Sequence, residues 1–285
     1  MMKLFFTLTF GAVGFICYAQ IQLPNLSPEG KIIQTIGYTH FIIRYDRPAA
    51  RGRKIFGNLV PFNKLWRTGA GKCTTIQFDQ PVKIGGQIIA AGIYALATIP
   101  SLKEWTILLN SDTSKIYGED SDYDKRNEVA RFSAASTAAN RFCESLTIDL
   151  DIADNNGVLY LSWENTKVQI LIDTNSSALA ENKIKQALIE NPNNAEVLSS
   201  AAYYYEMNNQ KIPEAYAYIK KAMTLREDRW YYRLAVNLLV KMKSYKEAIA
   251  MAQQGISFLE RTHPAEWQTG VQDFKNDIRK IAVMK

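Results

Sequence analysis

The chain has 285 residues, of which 47% are hydrophobic and 22% charged, and 34 Lys or Arg against 28 Asp or Glu give a formal net charge of +6. This length is enough for two domains. The composition is typical of a globular protein and excludes a largely disordered or low-complexity chain.

Residues 1–19 have the pattern of a secretory signal peptide. A short positive region, residues 1–3, precedes a 13-residue run dominated by apolar residues, and cleavage is expected between Ala19 and Gln20. The apolar run is too short for a membrane-spanning helix, which needs about 20 residues. We therefore expect an exported protein, periplasmic or extracellular, with no transmembrane segment in the mature chain.

Cleavage would leave two cysteines, Cys73 and Cys143, and two histidines, His40 and His263. In an oxidising compartment the cysteines could form a disulfide, and the alternative is two unpaired buried thiols. The sequence leaves both alternatives open. Four such residues are too few for the usual zinc ligand sets, so no metal site and no cofactor are predicted.

The alternation of residues from about 32 to 172 predicts short β-strands. Apolar and polar side chains alternate over residues 41–46 and 146–151, which places one face of each strand in the core. Gly85-Gly86 is typical of a two-residue hairpin turn, and Asn155-Asn156-Gly157 separates two further strands. Many short strands without intervening helices predict an antiparallel β-sandwich or similar barrel over residues 26–174.

After Asp173 the apolar period becomes helical. Two helix pairs lie about 33 residues apart and share small residues at matching positions, a spacing typical of tetratricopeptide-like repeats: Ala202 and Ala235, Ala215 and Ala248, Ala222 and Gly255. A last helix over residues 266–283 is predicted to be a solvated cap. The predicted fold is therefore α+β in two domains, the β-sandwich and then a tetratricopeptide-like helical array over residues 176–285.

The residues from Arg44 to Lys72, called the basic segment below, concentrate positive charge. The segment has eight Lys or Arg and one acid, Asp46, whereas residues 21–175 as a whole have 17 basic and 16 acidic side chains. The rest of this domain is therefore acidic on balance. Export and a near-neutral domain argue against a nucleic-acid partner, because nucleic-acid-binding domains are usually basic overall.

Several motifs occur in a fixed order along the β domain: Gln34-Thr35-Ile36-Gly37, Arg47-Pro48, Gly52-Arg53, Trp66-Arg67-Thr68-Gly69-Ala70, Ala91-Gly92-Ile93-Tyr94 and Glu104-Trp105-Thr106-Ile107. From about Leu26 to Ile172 this order resembles the family known as domain of unknown function 2911. That resemblance implies a secreted bacterial protein in which a β domain often precedes tetratricopeptide-like helices. It supplies no catalytic residues, because no activity is established for the family.

Three positions depart from the pattern of that family. Asp46 stands where a serine is usual, Asn63 where glycine is usual, and Gly71 where asparagine is usual. A site that used a hydroxyl and an amide at these positions would be altered here.

The basic segment has two interpretations. In the first it is a ligand site, in which Arg47, Arg51, Arg53 and Arg67 converge on an anionic group, Trp66 stacks beside it, and Thr68 belongs to the same site. Guanidinium groups bind carboxylate or phosphate through paired hydrogen bonds. In the second, Arg47 and Arg53 brace a long loop through carbonyls and acids, and the plug of the sandwich is formed by Phe56, Leu59 and Trp66.

Other catalytic and metal-binding patterns are weak. Neither histidine lies in a nucleophile motif and no G-x-S-x-G elbow occurs. Residues 69–72 lack the spacing of a phosphate-binding P-loop. The acidic run over residues 119–124 lacks the glycine and the final glutamate of a calcium loop, so it is predicted to be solvated.

The leading hypothesis is an exported, non-catalytic binding or scaffold protein of the bacterial envelope. Its helices, rich in tyrosine around residues 203–205, would bind a protein partner. Its basic segment would bind an anionic glycan or a lipid headgroup, or brace the fold. The alternative is an envelope hydrolase acting on a glycan or another anionic substrate, for which no catalytic residue is assigned.

Overall fold

The structure, a computed structural model, describes residues 23–115, 123–262 and 268–284. The predicted signal peptide, most of the acidic run and His263 lie outside the described residues. The chain divides into two compact units, with the boundary between Thr174 and Asn175. They are called the β unit and the helical unit below.

The β unit contains one nine-stranded antiparallel sheet in the order β1-β2-β3-β6-β7-β8-β9-β4-β5. Its strands are β1 (Glu29–Ile36), β2 (Thr39–Asp46), β3 (Thr74–Phe78), β4 (Val82–Ile84), β5 (Gln87–Ile89), β6 (Gly92–Ile99), β7 (Glu104–Asn110), β8 (Glu128–Ala153) and β9 (Asn156–Asp173). The predicted antiparallel β domain followed by helices is confirmed, and its two-layered sandwich form stays a prediction.

Local patterning explains several strands and turns. Phe41, Ile43 and Tyr45 are buried and alternate with more exposed residues along β2, as the period of two predicts. Gly85 and Gly86 have φ of +57° and +82° between Ile84 and its partner Gln87, which confirms the two-residue hairpin turn.

The second turn lies slightly earlier than predicted. Ala153 of β8 pairs with Asn156 of β9, so the turn consists of Asp154 and Asn155 instead of residues 155–157. Asp154 has φ +55°, a left-handed conformation that aspartate tolerates better than most residues. Because the turn ends at Asn155, Gly157 lies within β9, where it pairs with Ile152.

Strand β8 is much longer than its sequence pattern indicates. Its 26 residues pair first with β7, from Glu128 to Ala135, and then with β9, from Ser136 to Ala153. The register with β9 shifts on both sides of Cys143. Such shifts are the mark of bulges, which bend a strand. One strand therefore connects two ladders of the sheet.

The helical unit contains six helices: α1 (Ser176–Glu190), α2 (Ala195–Met207), α3 (Ile212–Leu225), α4 (Arg229–Lys241), α5 (Tyr245–Thr262) and α6 (Gln268–Ala282). The six small residues at matching repeat positions are all buried, which lets neighbouring helices approach closely. The tetratricopeptide-like assignment stays a prediction. Helix α6 is not solvated all round, because Phe274 and Ile281 are buried in an apolar cluster with residues of α4 and α5.

Candidate functional site

The basic segment is an irregular chain held to two strands of the sheet. Near its start, Ala50 N–H donates to the carbonyl of Glu144 in β8 at 2.7 Å. Farther along, Trp66 and Thr98 of β6 exchange main-chain hydrogen bonds of 2.7 and 2.8 Å. These anchors give residues 47–72, which follow β2, a fixed path without regular secondary structure.

Apolar residues of the segment form part of the core of the β unit. Phe56 and Trp66 are buried beside Trp105 and Trp163. The Trp66 ring stacks on Trp163 with 5.9 Å between centroids and a 22° interplanar angle, and Phe56 meets Trp105 edge-on at 5.0 Å. Leu59, which the second interpretation placed in this plug, is 45% exposed.

Two of the predicted ligand residues act as braces. Arg47 donates from Nε to the carbonyl of Leu146 and from Nη2 to Thr147 Oγ1, both at 3.3 Å. Arg51 donates from Nη2 to the carbonyl of Leu26 at 2.8 Å. Each links the segment to a chain region distant in sequence, which satisfies main-chain carbonyls that the segment would otherwise leave unpaired.

Arg53 and Arg67 hold the segment to itself. Arg53 donates to the carbonyls of Ala49 and Ala50 at 2.7 and 3.0 Å. Arg67 Nη1 donates to the carbonyl of Gly71 at 2.7 Å. A guanidinium has five N–H donors, so each arginine keeps donors beyond those that shape the loop.

Trp66 and Thr68 are buried within the segment. The indole N–H of Trp66 donates to the carbonyl of Gly69 at 3.0 Å, and only 9% of Trp66 is exposed. Thr68 is fully buried and donates from Oγ1 to Thr98 Oγ1 at 3.1 Å. The Trp66 ring therefore has little exposed surface on which a ligand could stack. Thr68 stabilises the loop through its buried hydrogen bond.

A pocket of about 360 Å³ opens beside this loop and is called the basic pocket below. Three of the six candidate residues, Arg53, Trp66 and Arg67, line it, whereas Arg47, Arg51 and Thr68 do not. The full lining is Ser27, Pro48, Arg53, Leu59, Val60, Pro61, Lys64, Leu65, Trp66, Arg67, Gly69, Ala70, Gly71 and Trp163.

The charged side chains among the described residues that line the basic pocket are all cationic. They are Arg53, Lys64 and Arg67, and among the described residues that line the pocket there is no Asp, Glu, His or Cys. Its polar side chains can therefore bind an anion, and they supply neither a carboxylate nor an imidazole for proton transfer.

The other cations of the segment lie elsewhere. Arg44 and Lys72 line a second pocket of about 330 Å³ together with the carboxylates Glu29 and Asp46. Arg44 Nη1 lies 3.4 Å from Glu29 Oε1 at an exposed position. The charge of this second pocket is mixed, so the segment does not present its cations as one continuous patch.

The departures from the family pattern have a steric explanation. Asn63 and Gly71 have φ of +60° and +63°, and glycine and asparagine are the residues that adopt this conformation most readily. A Cβ at Gly71 would lie 2.6 Å from Asp46 Oδ2. The larger acid at position 46 therefore occurs beside a residue that has no side chain.

Cys73 and Cys143 are free thiols in this structure, and a disulfide between them stays a prediction for the oxidising compartment. Cys73 is buried and its Sγ lies 3.7 Å from the carbonyl of Thr113, whereas Cys143 is half-buried in β8 opposite Glu164. Burial raises the pKa of the Cys73 thiol, and the Asp112 carboxylate raises it further. A protonated, buried thiol is a poor nucleophile.

Within residues 23–115, 123–262 and 268–284, no group of three or more His, Cys, Asp or Glu is placed to hold a metal ion. In the same ranges no helix has both the length and the apolar character that crossing a bilayer requires.

Sequence reasoning missed two kinds of pocket residue. Lys64 stands three positions before Arg67, and that proximity was the available signal for it. Trp163 is distant in sequence and reaches the pocket only through the path of β9, which no local pattern indicates.

A model of the family described as "Protein of unknown function (DUF2911)" matches residues 27–172, just over half of the chain. No curated protein and no solved structure gives a significant match.

Proposed function

The chain belongs to the DUF2911 family, whose description names no activity, and from its own residues we propose that the β unit is a non-catalytic module that binds a small anionic group in the basic pocket. The observation that carries this proposal is the lining, whose described residues include three cations and no carboxylate. Guanidinium groups form strong paired hydrogen bonds with carboxylate and phosphate oxygens.

The loop that forms the pocket is preorganised. Arg53 and Arg67 are each held by main-chain carbonyls within 3.0 Å, so binding would immobilise little additional side chain. Ordering a long side chain costs about 0.5–1.5 kcal/mol on association. A site built this way favours affinity for a small ligand.

The alternative, hydrolysis of a glycan, has less support at this pocket. Glycoside hydrolases use two carboxyl groups about 5–9.5 Å apart, and the described lining contains none. Two carboxylates of β8 and β9 accept main-chain hydrogen bonds from the basic segment: Glu144 Oε1 accepts from Arg51 N–H at 2.7 Å, and Glu164 Oε1 accepts from Ile55 N–H at 3.0 Å.

The two-layered sandwich, the tetratricopeptide-like repeats and export to the bacterial envelope are part of the same proposal. The bent β8, shared by two ladders, favours a two-layered sandwich, and the buried small residues at matching offsets favour tetratricopeptide-like helices. Residues 1–19 favour export. N-terminal sequencing of the mature protein tests export; a chain that still begins at Met1 contradicts it.

The helical unit is proposed to bind a protein. Tyr203 and Trp230 are 44% and 40% exposed, and their rings meet at 5.3 Å, a type of surface enriched in protein interfaces. A photo-crosslinker at position 203 should form a defined adduct in cells, and one at Ile189, 80% exposed on α1, should not. Equal adducts at both positions would contradict a specific surface.

Anion binding is tested by thermal unfolding of the mature chain with phosphate, sulfate or citrate at constant ionic strength. A ligand at a hundred times its Kd stabilises by about 2.7 kcal/mol. Arg67→Gln should weaken binding about 10- to 100-fold, as expected for a hydrogen bond to a charged group. Lys64→Gln alters an exposed cation of the same pocket and keeps the test valid if Arg67→Gln does not fold.

The matched control is Lys54→Gln, which removes the same charge from an exposed residue outside the pocket. It should bind anions like the wild type. If no anion stabilises the folded wild-type protein, or if Lys54→Gln weakens binding as much as Lys64→Gln, the proposal is wrong.

A further inference from the structure

Three consecutive residues with main-chain amides, Gly69, Ala70 and Gly71, belong to the lining of the basic pocket. Glycine has no side chain, so the pocket surface at positions 69 and 71 is main chain. The carbonyls of these two glycines already accept from Trp66 Nε1 and Arg67 Nη1. Among the residues that the structure describes, none accepts a hydrogen bond from the three amides.

The neighbouring main chain differs in this respect. Lys72 N–H donates to Asp46 Oδ2 at 3.1 Å, and Thr74 N–H donates to the carbonyl of Arg67 at 3.3 Å. Gly69 is buried, and buried amides without a partner are rare in native proteins. The amides without a partner among the described residues therefore include three consecutive ones whose residues line the pocket.

Backbone conformation favours a concave arrangement of these donors. Thr68 has φ +56° and Gly71 has φ +63°, so left-handed residues lie on both sides of Gly69 and Ala70. Where a left-handed residue stands beside a residue of the other hand, successive N–H groups can form an anion-binding concavity, as in many phosphate sites.

We infer that the anionic group is a phosphate monoester, which accepts hydrogen bonds from the amides of residues 69–71 and from the guanidinium groups of Arg53 and Arg67. This inference rests on the proposed function and specifies its ligand. A phosphate monoester presents three strong acceptor oxygens in a tetrahedral arrangement, whereas a carboxylate presents two oxygens in one plane. Amides on one loop and cations beside it match the former.

The nearest carboxylate does not occupy the pocket. Asp46 is absent from the lining of the basic pocket and lines the second pocket instead. Its Oδ2 is held by Lys72 N–H. The described lining itself includes three cations and no carboxylate, a charge that favours a dianion.

The first experiment is calorimetric titration of the full chain with phenyl phosphate and with benzoate, a carboxylate on the same ring. Phenyl phosphate should bind more tightly. Its affinity should fall about tenfold from about pH 7.5 to about pH 5, because the second pKa of a phosphate monoester is about 6.

The second experiment follows backbone amides by NMR during the same titration. Resonances of Gly69, Ala70 and Gly71 should shift with phenyl phosphate. The amide of Gly52, a left-handed glycine outside the pocket with φ +70°, should not. Glycerol phosphate and vesicles containing phosphatidic acid then separate a soluble ester from a lipid headgroup; binding of either supports the inference.

The outcomes separate this inference from the proposed function. Equal or tighter binding of benzoate, without pH dependence, overturns the phosphate assignment and leaves an anion site. Binding of phenyl phosphate without shifts at residues 69–71 also overturns the role of the amides. Failure of every anion to bind the folded chain overturns both.

Discussion

Positions 46 and 71 should be energetically coupled, and Gly71→Asn tests this. Asparagine tolerates the φ of +63° at this position, so the substitution isolates the effect of the side chain. Its Cβ would lie 2.6 Å from Asp46 Oδ2, well inside van der Waals contact. The carboxylate must therefore move.

Moving the carboxylate breaks its 3.1 Å hydrogen bond from Lys72 N–H. A hydrogen bond to a charged group contributes about 1.5–3 kcal/mol, so Gly71→Asn should lower the free energy of unfolding by that amount. For a domain of this size, 2 kcal/mol corresponds to a fall in Tm of about 4–8 °C. In an Asp46→Ser background the same substitution should cost at least about 1 kcal/mol less.

The assay is urea unfolding of the wild type, both single variants and the double variant, followed by tryptophan fluorescence. Contacting residues commonly show coupling energies of about 0.5–3 kcal/mol. The matched control is Gly52→Asn, since Gly52 has φ +70° and open space around its Cβ; it should cost less than about 1 kcal/mol. Additive costs in the cycle, or an equal loss in the control, would refute the steric reasoning.

Two further predictions concern tyrosines. The buried Tyr45 hydroxyl donates a hydrogen bond to the carbonyl of Ile148 at 3.2 Å and accepts one from the Ile148 N–H at 3.1 Å. Tyr45→Phe should therefore lower the free energy of unfolding in urea by about 2–4 kcal/mol. A loss below about 0.5 kcal/mol would contradict this prediction. Burial, and then a hydrogen bond to Glu214, raise the pKa of Tyr218 to about 12. Because this pKa is raised above its usual value, the protonated Tyr218 hydroxyl stabilises the folded helical unit fully below about pH 10. This contribution to the free energy of unfolding disappears as the pH rises through about 12. Circular dichroism should show alkaline loss of helix, delayed in Tyr218→Phe; phenolate absorbance titrating near pH 10 with intact helices would be the opposite result.

Periodicity predicted those parts of the fold that depend on local sequence. The strands around Phe41 and Ile148, the Gly85-Gly86 turn and helix α4 follow from side-chain alternation, turn chemistry and apolar spacing. The length of β8 does not follow, because residues 136–145 are, apart from Phe142, small or polar and are held as strand by pairing with β9.

The candidate site was predictable only as a segment. The concentration of Arg, Gly and Trp indicated which segment could form a site, but not which of its arginines line a pocket. Arg47 and Arg51 differ from Arg53 and Arg67 in which carbonyls they meet, and those carbonyls come from residues as distant as Leu146. A sequence does not contain that geometry in any local pattern.

The shared strand β8 affects how the β unit folds and how it unfolds. It pairs with β7 over its first third and with β9 over the rest, and near Glu144 it also holds the basic segment. Because β8 belongs to both ladders, neither β7 nor β9 can separate from β8 without exposing the strand with which the other pairs. Because these pairings join residues as far apart as Ala50 and Glu144, the unit should fold slowly and cooperatively, and a cut within residues 136–145 should release both ladders and the pocket together.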